Sequence, residues 1–406
     1  MCQQCGKIHH VTENVSVKRR NLLKAVGAGL AVTAVASPLT ALGSEPSLKT
    51  LPSNPFPVKA FGVTDATSPV SSMTIQRRAV GPKDVFIDIL YCGICHTDIH
   101  QARDEWARLA PTSYPCVPGH EIVGRVQAVG SEVIKFKVGD LAGVGCLVQS
   151  CGTCINCLGD REQNCLNGAI YTYNTPDPVL GGRTYGGFSD AMVVNERAVI
   201  RIPPGANLAG TAPLLCAGIT TFSPLEHWKV TRGQKVGVVG LGGLGHLAVK
   251  LAVAKGAEVT IFTTSPEKLG DAKRLGASDA ILWGDAEGMR KMAGQLDLLI
   301  STVPQAYAMQ PFMDVLKLDA TFVNVGALDD LQGLNGLLLA GSRRSLAGSA
   351  IGGIAETQEV IDYCVSRNII ADVELIRPDQ INAAFERILN KDVRYRFVID
   401  FASGKS

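Results

Sequence analysis

Two textures of apolar and polar positions divide the chain after about residue 58. Up to about residue 207, short alternating runs sit between glycines, as in Val85-Phe86-Ile87-Asp88-Ile89 and Ile122-Val123-Gly124-Arg125-Val126. Alternation with period two marks strands buried on one face, and many such short runs predict a compact, irregular β domain. From about Leu208 the chain alternates strand-like and helix-like stretches. Lys235–Gly240, Glu258–Thr264, Ala280–Trp283, Asp297–Thr302, Thr321–Val325 and Ser345–Ile351 read as strands. Helical patterns such as His246–Ala254 and Pro266–Leu275 separate most of them. That βαβ rhythm predicts a doubly wound parallel sheet. A helix-like Ala355–Ser366 follows, and Tyr395-Arg396-Phe397-Val398-Ile399-Asp400 returns to strand character. The fold class is α/β, an irregular β-rich domain plus a doubly wound parallel Rossmann sheet.

The N-terminal pattern is different. Paired arginines precede an apolar run rich in Ala and Gly, Ala25 to Ala36, and then small residues and a proline. The run is shorter than the ~20 residues needed to span a bilayer. Lys18-Arg19-Arg20-Asn21-Leu22-Leu23-Lys24 resembles the twin-arginine export motif, with Lys in place of Ser and Leu in place of Phe. Ala34-Val35-Ala36 and Ala41-Leu42-Gly43 are two candidate cleavage sites. Residues 1–43 therefore read as a signal peptide for the twin-arginine translocase, with a periplasmic destination. An uncleaved membrane tether or a cytoplasmic enzyme is the alternative. Cys2, Cys5, His9 and His10 precede the motif and read as the discarded end of the leader rather than as a metal site. A Pro- and Ser-rich linker fills 44–57.

Composition narrows the class. A chain of 406 residues suits two domains, and 46% hydrophobic against 19% charged residues supplies real cores and excludes disorder. Lys plus Arg number 39 and Asp plus Glu 37, which leaves no basic excess for nucleic acid. The 12 cysteines are unusual in being clustered, and close spacing in a long chain points to metal before disulfide.

"CGTCINCLGDREQNC" holds Cys151, Cys154, Cys157 and Cys165. Four thiolates at this spacing can close a tetrahedron on zinc with no open position, which describes a structural site. An iron–sulfur cluster is the chemical rival. A second site is dispersed: one cysteine of "YCGICHTDIH", His120 of "VPGHEIVG" and Cys216 of "PLLCAGITTF". Two thiolates, one imidazole and an open position make a catalytic zinc. "VGVVGLGGLGHLAVK" ends a strand and opens a helix, with Gly240, Gly242 and Gly245 in G-x-G-x-x-G spacing around Gly243 and Leu244. Such a turn brings a pyrophosphate to a helix N-terminus. The next strand ends in Thr263, Thr264 and Ser265, without the acid that takes the ribose hydroxyls of NAD. Those hydroxyls with Lys268 suit a 2′-phosphate, so NADP(H) is expected.

Together, and in this order, "CGICHTD", "YPCVPGHEIVG", "CAGITTFSPL" and "GLGGLGH" resemble the zinc-dependent medium-chain alcohol dehydrogenases, with the match strongest to the cinnamyl-alcohol-dehydrogenase-like, NADP-dependent aldehyde reductases. The resemblance covers nearly all of the chain after Pro57. It implies a GroES-like catalytic domain split around the cofactor domain: 58–207 and 352–406 around 208–351. It implies Cys95 as the ligand and Cys92 as a nearby non-ligand. It also implies that Thr97 passes a proton by the cofactor ribose to His100, that Asp98 orients His120, that Glu121 stands behind the zinc, and that Thr220 lies near the nicotinamide. Trp106 fits a pocket wall or a packed surface residue, and His246 a packing role. The expected activity is hydride transfer between NADP(H) and aldehydes or primary alcohols, mainly aldehyde reduction, in a homodimer with two zinc ions per chain. The alternative is an exported zinc- and dinucleotide-binding protein of the same fold with little turnover.

Overall fold

The computed structural model describes residues 52–326, 331 and 333–404. The twin-arginine segment and Cys2, Cys5, His9 and His10 lie outside the described residues.

Two sheets organise the chain. The first is mixed, ordered Val373–Ile376, Arg396–Asp400, Asp84–Gly93, Ile122–Val129, Leu141–Val144 and Ile200–Arg201, with Ala191–Asn195 also paired to Asp84–Gly93. Alternation along Asp84–Gly93 puts Val85, Ile87 and Ile89 in the core beside Phe188, Phe397 and Ile399. A hairpin of Phe56–Gly62 and Ser71–Arg77 stands beside this sheet. The stretch 44–57 read as linker therefore ends too late: Phe56 already pairs with Arg77 and Pro57 with Gln76. Proline is tolerated there because a two-stranded hairpin leaves an outer edge that needs no N–H donor.

The second sheet is wholly parallel, ordered Asp279–Leu282, Glu258–Thr263, Lys235–Val239, Leu296–Ser301, Leu316–Asn324 and Ser345–Gly348. In chain order this is 3-2-1-4-5-6, the Rossmann arrangement, whose direction reverses beside Lys235–Val239. Val236, Val238, Ile261 and Ile300 are covered by Leu247 and Leu251 of the helix Gly245–Ala254. Pro266 makes the following helix open with a 3₁₀ turn, Pro266–Lys268, before Leu269–Arg274. Leu316–Asn324 starts earlier than its apolar pattern predicts, because Leu316 pairs with Leu296 across a register shift while Leu318 and Asp319 stay exposed.

One helix joins the two halves. Ala217–His227 begins immediately after Cys216, and its Ile219, Phe222 and Leu225 share one core with Ile200, Leu214, Val236 and Leu247. The last segments return to the first sheet: Val373–Ile376 runs parallel to Arg396–Asp400, which pairs antiparallel with Asp84–Gly93. Arg396 thereby reaches the cleft between the sheets.

Candidate active site

Cys95 is the N-cap of a short helix, His96–Ala102, that follows the central strand Asp84–Gly93. The Asp98 carboxylate turns back onto the helix start and accepts the Cys95 N–H at 2.8 Å. Its other oxygen accepts the Gly119 N–H at 3.0 Å and stands 3.1 Å from His120 Nδ1. With Nδ1 so engaged, His120 presents Nε2, which lies 3.2 Å from Cys216 Sγ. The ligand atoms of Cys95, His120, Glu121 and Cys216 all lie within 4.8 Å of one another, and all four residues are buried.

The electrostatics of this cluster fit a cation. The Cys95 thiol is drawn well below its ordinary value, first by the Cys216 sulfur and then by His120, against burial. Cys216 is pushed well above it, first by the Cys146 sulfur and then by Cys95 and burial, because neighbouring sulfurs in a buried site cannot all ionise unaided. A metal ion removes that conflict, and two sulfurs with one imidazole suit zinc. Burial pushes the Glu121 carboxyl up to about 7, with Arg396 opposing. Glu121 Oε1 pairs with the Arg396 guanidinium, while Glu121 Oε2 and Arg396 Nε have no partner. Cys92 is buried outside the cluster, 3.6 Å from the Gly93 carbonyl oxygen.

Thr97 Oγ1 lies 3.6 Å from Cys95 Sγ. His100 follows one turn along the same helix face. Its Nδ1 is 2.5 Å from Glu105 Oε2, and its ring stacks on half-buried Trp106 at 4.7 Å and 27°. Trp106 thus packs directly on the histidine. Thr220 is buried one turn after Cys216, whose carbonyl accepts its N–H at 2.9 Å.

The other cysteine cluster sits on a projecting lobe, where Cys151, Cys154, Cys157 and Cys165 offer sulfurs within 4.8 Å of one another. Cys151 and Cys157 sulfurs are 3.8 Å apart. A tetrahedral site with Zn–S of about 2.3 Å has edges of about 3.8 Å, whereas a disulfide needs about 2.05 Å. So tight a cluster has room for a single ion rather than a multi-iron cluster, and the described cysteines are all free thiols. The Thr153 and Cys154 N–H groups pull the Cys151 thiol down to about 5, toward the thiolate a metal needs. Glu162, inside this lobe, accepts the Ile354 N–H at 3.0 Å and so caps the helix Ile354–Ser366.

The glycine turn has the shape of a dinucleotide cradle. Gly240 has φ of +92°, a conformation that side chains oppose. A Cβ at Gly245 would strike the Gly240 carbonyl oxygen, so the helix start packs tightly on the strand end. Beside Gly242, by contrast, nothing lies within 4 Å, which leaves room for a bound group at the helix N-terminus. A Cβ on Gly243 would stand 2.7 Å from Arg396 Nη1. Leu244 is the helix N-cap. At the end of Glu258–Thr263, Thr264 is exposed and Ser265 half-buried. Lys268 is only 6% exposed, and burial holds its ammonium below the usual value. Arg394 and Lys391 add positive charge around it, against Glu267 and Asp271. His246 is a packed residue: burial holds it down at about 3, its ring stacks on Tyr395 at 5.0 Å, and its Nε2 accepts the Asp372 N–H.

Three contributors escape motif reading. Arg396 had one signal, a charge opening the mainly apolar strand Arg396–Asp400, but nothing local names its anion. Glu105, and Tyr173, whose hydroxyl donates to Asp98 Oδ1 at 2.8 Å, had none.

Comparison with known proteins places these features. Residues 81–204 match the alcohol dehydrogenase GroES-like domain family, and residues 243–366 the zinc-binding dehydrogenase family. NADP-dependent alcohol dehydrogenase C 1 of Mycolicibacterium smegmatis is 50% identical over 350 residues, covering 86% of this chain and 99% of that protein. Aldehyde reductase YahK of Escherichia coli is 51% identical over 345 residues, 84% of this chain and 98% of its own. A solved cinnamyl alcohol dehydrogenase of Sorghum bicolor superposes with a TM-score of 0.82 at 40% identity, covering 86% of this chain and 98% of that one.

Proposed function

We propose that this chain, which belongs to the zinc-type medium-chain alcohol dehydrogenase family, interconverts aldehydes and primary alcohols with NADP(H), working mainly as an aldehyde reductase. One observation carries the proposal. A single buried side chain, Arg396, touches both the Glu121 carboxylate of the sulfur–imidazole cluster and the glycine turn at Gly243, so the two half-sites meet in one cleft.

Bound zinc supplies a Lewis acid for the carbonyl oxygen, and NADPH supplies the hydride. The chain does the rest. Cys95, His120 and Cys216 hold the catalytic ion, and Cys151, Cys154, Cys157 and Cys165 hold a second, structural one. Asp98 fixes the His120 ring. Thr97 donates a proton to the product oxygen and His100 replaces it by way of the cofactor ribose, with His100 Nδ1 held by Glu105 so that Nε2 is left for the relay. Gly240, Gly242, Gly243, Leu244 and Gly245 cradle the pyrophosphate, Thr220 packs near the nicotinamide, and Thr264, Ser265 and Lys268 take the 2′-phosphate. Zinc-loaded protein should consume NADPH with a simple aromatic aldehyde and yield one alcohol per cofactor. Absence of decay with both zinc ions bound would overturn the assignment in favour of a binding protein.

We infer, further, that the protein is exported folded by the twin-arginine translocase and works as a homodimer. The Lys18–Lys24 motif supports export, as does the burden of loading seven zinc-binding side chains, six of them thiolates, outside the cytoplasm, where disulfide formation competes. The dimer rests on the open sheet edge: Ser345–Gly348 has no outer neighbour among the described residues, and Leu346 on it and Leu337 and Leu338 of the preceding helix Gly336–Gly341 are exposed. Native mass spectrometry of the extracytoplasmic fraction should find a trimmed dimer with zinc and NADP(H). Full-length protein found only inside the cell would refute export, and a monomer at micromolar concentration would refute the dimer.

A further inference from the structure

Tyr173 is buried in the loop after Ile170–Tyr171, and both of its neighbours are tied down. Thr172 donates its N–H to the Cys146 carbonyl at 3.0 Å and its hydroxyl to the Gly145 carbonyl at 2.5 Å. The Asn174 amide donates to Gln101 Oε1 at 2.5 Å and to the Pro111 carbonyl at 3.1 Å, and its oxygen accepts the Ser113 N–H at 2.9 Å. The tyrosine between them makes two contacts with one unit of the site. Its hydroxyl donates to Asp98 Oδ1 at 2.8 Å, the oxygen that faces His120 Nδ1. Its ring lies 5.7 Å from the His120 ring at 38°. Burial holds the phenol well above its ordinary value, so the hydroxyl stays a donor.

We propose that Tyr173 is a positioning residue for the metal ligand His120, acting through Asp98: the hydroxyl anchors the carboxylate while the ring walls the imidazole. The proposal rests on reading Cys95, His120 and Cys216 as the catalytic metal site. A carboxylate behind a ligand histidine fixes both the ring and the electron density it offers the metal. Asp98 Oδ1 meets the Gly119 N–H, the Tyr173 hydroxyl and the His120 ring together. Without the hydroxyl, Asp98 keeps the Cys95 and Gly119 N–H groups but loses its side-chain anchor, and the imidazole is held less firmly.

The test is Tyr173→Phe, which keeps the ring and removes only the donor, in the wild-type and Asp98→Asn backgrounds. Cobalt(II) replaces zinc, and its ligand-field bands separate the two-sulfur, one-nitrogen site from the four-sulfur site. Tyr173→Phe should retain the four-sulfur spectrum and the melting temperature, shift the bands of the mixed site, and release metal from that site to a chelator about ten-fold faster. In the Asp98→Asn background the same substitution should add little. Unchanged bands and release rate would overturn the proposal. So would an equal effect in both backgrounds, which removes Asp98 from the path, or loss of both metals together, which marks a folding role. If the wild-type protein takes cobalt only at the four-sulfur site, the assignment of the metal centre itself fails, whatever Tyr173 does.

Discussion

Cys95→Ala should lower kcat/KM for aldehyde reduction by about 10³-fold or more, while the protein keeps one zinc of two. The effect is large because the site has three protein ligands and no spare. Charge developing on the substrate oxygen needs a cation in bonding reach, and losing it removes several kcal/mol of transition-state stabilisation, where about 4 kcal/mol is 10³ in rate. Glu121 is a poor substitute ligand, because Arg396 already engages it and a carboxylate is a harder donor than a thiolate. The retained zinc follows from distance along the chain: Cys151 to Cys165 form their own lobe, whose backbone donors do not involve Cys95. Metal analysis with steady-state kinetics checks both halves. Two zinc ions with near-normal turnover would remove Cys95 from the ligand set.

The contrast between Cys95 and Arg396 shows what the sequence can and cannot disclose. Cys95 lies in a run whose spacing to Thr97, Asp98 and His100 is set by the first turn and a half of helix, so the chemistry is written locally. The same holds for Gly240 to Gly245, where a strand end, a turn and a helix start are adjacent in the chain. The parallel sheet was legible too, because its central strands Lys235–Val239, Glu258–Thr263 and Leu296–Ser301 are nearly continuous buried runs between helices. Arg396 acts only because Arg396–Asp400 pairs with Asp84–Gly93, far earlier in the chain, and that pairing delivers the guanidinium to Glu121. Tyr173 reaches Asp98 by a loop whose course is set by Thr172 and Asn174, and no periodicity encodes it. Residues that meet through tertiary pairing leave only a faint mark, such as a charge opening a mainly apolar strand.

Arg396 also clarifies the buried pair it makes. A buried ion pair is poor evidence for stability, since desolvation offsets most of the attraction. Here Glu121 Oε2 and Arg396 Nε are left without partners, between the Cys95–His120–Cys216 cluster on one side and the glycine turn on the other. That unmet hydrogen-bonding capacity argues against reading the pair as a fold-holding bond.

Lys268→Glu should invert cofactor preference, lowering kcat/KM with NADPH by about 10³-fold while the value with NADH moves by no more than a few-fold. Two effects add. The substitution removes a charge-assisted contact to the 2′-phosphate, about 1.5–3 kcal/mol, and replaces it with like-charge repulsion of similar size. Their sum, about 4 kcal/mol, is a factor of about 10³. NADH carries a ribose hydroxyl where NADPH carries the phosphate, so it escapes both effects and can gain an acceptor from the introduced carboxylate. The pH dependence gives a second check on wild-type protein. Burial lowers the Lys268 ammonium in the free enzyme, so its charge is lost at lower pH than for an exposed lysine. KM for NADPH should therefore rise as the solution becomes alkaline, while KM for NADH stays flat, and bound phosphate delays the rise by favouring the charged form. If Lys268→Glu kept its NADPH preference, the phosphate would have to sit against the cations contributed by the other lobe, Arg394 and Lys391, and the hydroxyls of Thr264 and Ser265 would lose their assigned ligand with it.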